Sequence, residues 1–140
     1  MFECDPQLKK DTFIVGDFAL SRVLLMNDAR YPWVILVPRK TGVTEIYQLT
    51  PAEQQQFIAE SSFVTKQLAE LVNADKMNIA ALGNVVSQLH IHHVARFYTD
   101  ESWPAPIWGK GEAVSYTIQE RDVMCNQLVA SFSAYLTNVG

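Results

Sequence analysis

The chain has 140 residues, 49% of them apolar and 19% charged, a globular composition that excludes disorder along its whole length and supports one hydrophobic core. Eleven basic against 15 acidic residues leave a net charge of −4, which argues against a broad basic face for DNA or RNA but leaves room for a local phosphate site. No apolar run approaches the ~20 residues of a membrane span.

The first ten residues hold acidic side chains and no apolar stretch, so no signal peptide is expected. Cys4 and Cys125 lie far apart and read as unpaired thiols, consistent with a cytoplasmic protein that meets no membrane. No repeat or linker interrupts residues 1–140, which read as a single domain.

Strand material comes first, at Thr12–Val15, Ala19–Met26 and Trp33–Val37. The last two flank Asn27-Asp28-Ala29-Arg30-Tyr31-Pro32, whose turn formers predict an antiparallel hairpin with a short polar tip. Glu45–Gln48 reads as a further short strand. Thr50-Pro51-Ala52-Glu53 then offers an N-cap, a proline at the first helical position and a glutamate that closes a capping box. Phe57, Val64, Leu68 and Leu71 continue at helical spacing to about Asn73, as one stripe facing the core. Met77–Leu82 and Leu89–Phe97 read as strands, separated by a turn at Gly83-Asn84. Ile118, Cys125, Leu128, Val129, Phe132 and Leu136 predict a second amphipathic helix within about 115–138. Strands, a long central helix and then two more strands suggest an α+β fold on an antiparallel sheet.

All three histidines fall within four residues, His90 to His93. In a strand alternate residues share a face, so Gln88, His90, His92, Val94 and Arg96 line one side. Leu89, Ile91, His93 and Ala95 line the other, which is mostly apolar and should pack on the helix, making His93 structural. Three readings fit the polar side. His-x-His on a strand can hold a metal, although no third ligand follows and Arg96 is an unfavourable neighbour for a dication. The pair can also be ordinary sheet-surface histidines. The third reading is phosphate chemistry, in which one neutral imidazole attacks phosphorus, its neighbour hydrogen-bonds the phosphoryl oxygens, and Gln88 adds an amide donor. The Gly83-Asn84 turn allows backbone to approach a phosphate closely.

Gln88-Leu89-His90-Ile91-His92-His93-Val94-Ala95-Arg96 resembles the signature strand of the histidine triad nucleotide hydrolases and transferases. Asn27–Pro38 is similar to that family's nucleotide-binding hairpin, and Leu49-Thr50-Pro51 and Gly83-Asn84-x-Val86 match in order. The likeness covers about residues 12–98, and Trp103-Pro104-Ala105-Pro106-Ile107-Trp108-Gly109 resembles the tail of a bacterial branch. The resemblance implies an antiparallel sheet of about five strands, a long central helix and a C-terminal helix after a tail beginning at residue 99.

Counting back from Arg96, the resemblance makes His92 the third triad position, His90 the nucleophilic middle position and Gln88 the first, where the family usually has histidine. Trp33 stands where many members carry another histidine. The implied chemistry is transfer of a nucleotide through its α-phosphate, from a dinucleoside polyphosphate or a nucleoside phosphoramidate, to His90 and then to water. His92 and Gln88 would assist, and Asn27 in preference to Asp28, with Asn84, Arg96 and Trp103, would bind substrate. Leu24, Met26 and Ile35 are candidates for an apolar slot around base and ribose. No metal or other cofactor is called for, and a homodimer is expected. Gln88 and Trp33 also leave open a nucleotide-binding sensor or scaffold with weak turnover.

Overall fold

In the computed structural model, which describes residues 1–140, strands form where β-branched and large apolar residues cluster: β1 at Thr12–Asp17, β2 at Ser21–Met26 and β3 at Trp33–Pro38. The expected hairpin joins β2 to β3, with Leu24 opposite Ile35 and Leu25 opposite Val34. A short helix, α1 at Pro6–Asp11, precedes β1. It is too short to show a periodicity, and it starts where the Asp5 side chain accepts the Gln7 N–H at 2.8 Å.

The long helix α2 spans Pro51–Val72 and begins as its first residues require. Thr50 Oγ1 accepts from the Glu53 N–H, while the Glu53 carboxylate accepts from the Thr50 N–H. It stops at Asn73, whose φ of 54° is a left-handed conformation that asparagine tolerates and that ends helices. Strands β4 at Lys76–Ala81 and β5 at Ile91–Arg96 follow, then α3 at Ile118–Ser131 and a two-residue strand β6 at Asn138–Val139.

The sheet runs β4-β5-β3-β2-β1-β6 with every neighbouring pair antiparallel. It has six strands where about five were expected. The sixth comes from the chain end: Thr137 N–H donates to the Asp17 carbonyl at 2.8 Å and Val139 lies opposite Gly16. Gly16 sits at a bulge in β1, and a side chain there would collide with the Asn138 backbone.

Several element bounds differ from the sequence expectation; β5 begins at Ile91, so Leu89 and His90 precede it. Glu45–Gln48 forms no strand; Ile46–Gln48 is one 3-10 turn, because Gln48 Oε1 accepts the Thr44 and Glu45 N–H groups and curls the backbone back. The C-terminal helix stops at Ser131 instead of continuing to about 138. Phe132 and Leu136 keep helical spacing yet turn into the core, and Phe132 and Tyr135 gather round Phe18 at ring separations of 5.9 and 5.8 Å. Ala19-Leu20 belong to the β1–β2 turn, where the buried Glu60 of α2 accepts the Leu20 and Ser21 N–H groups at 2.8 and 3.1 Å.

Two apolar clusters cover the two faces of the sheet. On one face Leu89, Ile91 and Ala95 pack with Val34, Leu36 and the α2 stripe. On the other, Trp33, Ile35, Val37 and Val94 pack with Cys4 and Leu8 from the N-terminal segment and Ile107 from the tail. All six residues of β3 are buried because both of its faces are covered, which is why it reads as a continuous apolar run.

Candidate active site

β5 lies between β3 and the edge strand β4; His92 and His93 take its opposite faces, and His90 stands just before its first residue. His93 points to the α2 side, fully buried, with Nε2 at 2.7 Å from Ser61 Oγ. Burial pushes it down to about 4. His90 and His92 share the other face, their rings edge-to-face at 4.9 Å and each only 5% exposed.

The hydrogen bonds of these two rings assign their protons. His90 Nδ1 lies 2.6 Å from the Gln88 carbonyl oxygen, and since a carbonyl only accepts, Nδ1 carries the proton. Nε2 of His90 is therefore left with its lone pair free. For His92 the order is reversed: the Trp33 indole Nε1–H donates to Nδ1 at 3.0 Å, so the ring proton sits on Nε2. Burial pushes His92 down to about 3, helped by repulsion from His90 and His93 and opposed in part by a hydrogen bond to the Leu82 backbone. His92 is thus a neutral donor across the physiological range.

A groove of about 430 Å³ opens on His90. Its walls are the Thr44–Tyr47 segment and the Ala81–Asn84 turn, and Ser87, Gln88 and Leu89 complete it. Asn84 stands in this wall, exposed, within the same groove as His90. One imidazole with an available lone pair, one neutral N–H donor on the same face and an open groove suit attack on an electrophilic centre such as phosphorus.

The remaining expected residues are placed otherwise. The Gln88 amide does not face the groove as a free donor: Oε1 accepts from the Asp5 N–H and Nε2 donates to the Glu3 carbonyl, both at 2.8 Å. It holds the N-terminal segment against the site. Arg96 is 1% exposed and not available to a substrate. Its guanidinium donates to both Asp100 oxygens at 2.8 and 3.0 Å and to Asn78 Oδ1 at 2.8 Å. That ion pair draws Asp100 down to about 2.

Asn27 and Asp28 fasten the segment before α3 instead of presenting free side chains. Asn27 Oδ1 accepts from the Tyr116 N–H at 2.9 Å, and Asp28 accepts from the Val114 N–H at 3.3 Å while paired with Arg30 at 2.9 Å. Burial alone would raise the Asp28 carboxyl, but its hydrogen bonds from Arg30 outweigh this and lower it.

Trp103 lies against Arg96 and Tyr98, at 5.6 and 5.0 Å, and is not placed against His92. The tail tryptophan at the site is Trp108, with its ring 5.2 Å from His92 and 6.0 Å from Trp33. The apolar slot is already filled, since Cys4 and Leu8 pack against Leu24 and Ile35, and Phe2 and Met26 border the same cluster.

Sequence reasoning thus chose Trp103 where Trp108 is the tail ring against His92, and marked Trp33 only as a departure from the family pattern. For Trp33 a signal existed: Ile35 pairs with His92, and a residue two positions from Ile35 points to the same face.

A HIT domain family model matches residues 7–99. The chain belongs to the HIT family. Among solved structures, this HIT protein is 44% identical to a histidine triad protein from Marinobacter aquaeolei VT8, over 96% of this chain and 98% of that one, with a TM-score of 0.94. A histidine triad protein from Bradyrhizobium japonicum is 41% identical, covering 93% and 97% of the two chains at a TM-score of 0.91. One from Sinorhizobium meliloti 1021 is 37% identical, covering 94% and 97%, also at 0.91. No curated protein sequence shows significant similarity to the chain. The likeness extends well past the family-model segment, so the tail carrying Trp108 and helix α3 are part of what these structures share.

Proposed function

We propose that this HIT protein is a hydrolase or nucleotidyl transferase acting at the α-phosphate of a nucleotide conjugate, through a covalent nucleotidyl intermediate on His90. The observation that carries this reading is the His90 Nδ1–H bond to the Gln88 carbonyl, which aims the basic Nε2 away from the strand with no proton to lose before it attacks.

Nε2 of His90 forms a bond to the α-phosphorus as the bond to the leaving group breaks, the electron pair departing with the leaving group. Water then attacks the nucleotidyl-imidazole, releasing the nucleotide and restoring neutral His90. His92 donates from Nε2 to a phosphoryl oxygen as negative charge develops, and Asn84 in the groove wall supplies a further donor. Gln88 supports the reaction indirectly, by anchoring residues 3–5 beside the groove.

The protein acts as a cytoplasmic homodimer. Edge strand β4 leaves Ile79 53% exposed, and α2 turns Ile58, 61% exposed, outward, an apolar surface suited to a second copy.

The test is turnover of a diadenosine polyphosphate and an adenosine phosphoramidate, with and without chelator, by the native protein and by His90→Asn. Chelator-insensitive turnover, an acid-labile nucleotide adduct on His90 after rapid quenching, and loss of about 1000-fold or more in the variant are the expected results. Binding without turnover would favour a sensor, and chelator-sensitive turnover a metal-dependent hydrolase.

A further inference from the structure

Trp33 bonds the Nδ1 edge of His92 and so sets which ring nitrogen carries the proton, with the Leu82 backbone as the ring's other hydrogen-bond partner. Its indole Nε1–H can only donate, so Nδ1 of His92 can only accept. Trp108 packs against both Trp33 and the His92 ring, and with His92 only 5% exposed the packing leaves little room for it to turn over. We infer that Trp33 is a positioning residue that locks His92 as a fixed Nε2–H donor, leaving the site without a general acid and restricting it to leaving groups that depart without taking a proton. This rests on the nucleotidyl-transfer reading above.

The groups facing His92 are His90 just before β5, Trp33 on β3, Trp108 in the tail and the Leu82 backbone after β4. None can hand it a proton and take it back. Around the groove the titratable side chains are Glu45, Tyr47 and His90. The Gln48 N–H bonds the Glu45 backbone carbonyl, and the exposed Glu45 and Tyr47 side chains make no hydrogen bond to His90 or His92. His90 is occupied as the nucleophile. Gln88, which replaces an imidazole at the first triad position, does not titrate and has both ends of its amide committed to the N-terminal segment.

The consequence follows from electron counting. When the leaving group is a phosphate oxygen, the P–O pair departs onto an oxygen whose conjugate acid ionises at about 6, and no proton is needed. When it is an alkylamine, the P–N pair departs onto a nitrogen that holds a proton up to about 10 and leaves only once it has gained one. Lacking a donor, this site selects phosphoanhydrides over phosphoramidates.

Two measurements on the native protein test this without relying on a variant. Nitrogen-15 NMR of His92 should show Nε2 protonated and Nδ1 unprotonated, with no titration from pH 5 to 8. Turnover of adenylates sharing one nucleoside should favour phosphate over alkylamine leaving groups by about 100-fold or more in kcat/KM, the low end of what general acid catalysis supplies. Trp33→Phe keeps a ring but removes the N–H; it should shift the His92 nitrogens toward a tautomer mixture and lower kcat more than it raises KM. Trp33→His restores a donor able to exchange protons, and should recover the phosphate rate and narrow the preference against amines.

A merely packing role for Trp33 would change melting but move neither the nitrogen signals nor the leaving-group preference. His92 protonated on Nδ1, or titrating between pH 5 and 8, overturns the lock. Phosphate and amine substrates turned over within about threefold of each other overturn the selection. Locked nitrogens with no turnover of either substrate would overturn the hydrolase reading and leave the lock standing.

Discussion

Acidification should destabilise this protein well above the pH at which its carboxylates protonate, because two imidazoles are buried neutral. His92 is held down to about 3 and His93 to about 4, each chiefly by burial, against about 6.5 in the unfolded chain. Below 6.5 the unfolded state binds two protons that the native state refuses, so unfolding becomes more favourable as pH falls. Each site contributes about 1.4 kcal/mol per pH unit once below its unfolded value. From pH 8 to pH 5 that amounts to about 2 kcal/mol for each histidine and about 4 kcal/mol for the pair, a large share of a typical 5–15 kcal/mol. The loss stops growing only when the native groups themselves titrate, near 4 and 3. Asp17, Asp28 and Asp100, all lowered in the native state, add a further loss in the same direction, but only as pH falls through the ordinary carboxylate range. Urea unfolding at pH 8, 6 and 5 measures this directly, and His93→Gln should roughly halve the slope while lowering overall stability. A free energy of unfolding that changes by less than about 1 kcal/mol between pH 8 and 5 would refute the claim that both rings are buried uncharged.

Gln88→Leu should release residues 3–5, raising their amide hydrogen exchange and costing about 1 kcal/mol, because the part-buried Asp5 N–H and the exposed Glu3 carbonyl lose their partners; Gln88→His, which can replace at most one of the two bonds, should fall between. Arg96→Met should cost about 3–5 kcal/mol by stranding the buried Asp100 carboxylate, visible as a large drop in melting temperature, whereas a surface contact with substrate would leave melting unchanged. Asn73→Val should cost about 1–3 kcal/mol in denaturant unfolding, since a β-branched residue resists the left-handed conformation that ends α2.

What the sequence determined by itself is what neighbouring residues decide among themselves. The capping box at Thr50 and Glu53, the turn chemistry at residues 27–32 and the alternation along β5 each act within a few positions, so the start of α2, the β2–β3 hairpin and the separation of His93 from His90 and His92 were legible without coordinates. Tertiary structure decided the partners. Trp33 meets His92 across 59 residues, Gln88 holds the N-terminal segment across 83 and 85, and Asn27 holds Tyr116 across 89. Nothing local distinguishes an amide that will face a phosphate from one that will pin the N-terminal segment, nor Trp108 from Trp103 as the ring that reaches the site. The same holds for β6: Phe132 and Leu136 keep a helical spacing, and only the bare backbone at Gly16 on the edge of β1 makes a strand the better use of the residues that follow. Local chemistry proposes elements and faces, while hydrogen-bond donors and acceptors choose their partners only when the sheet brings distant segments within reach.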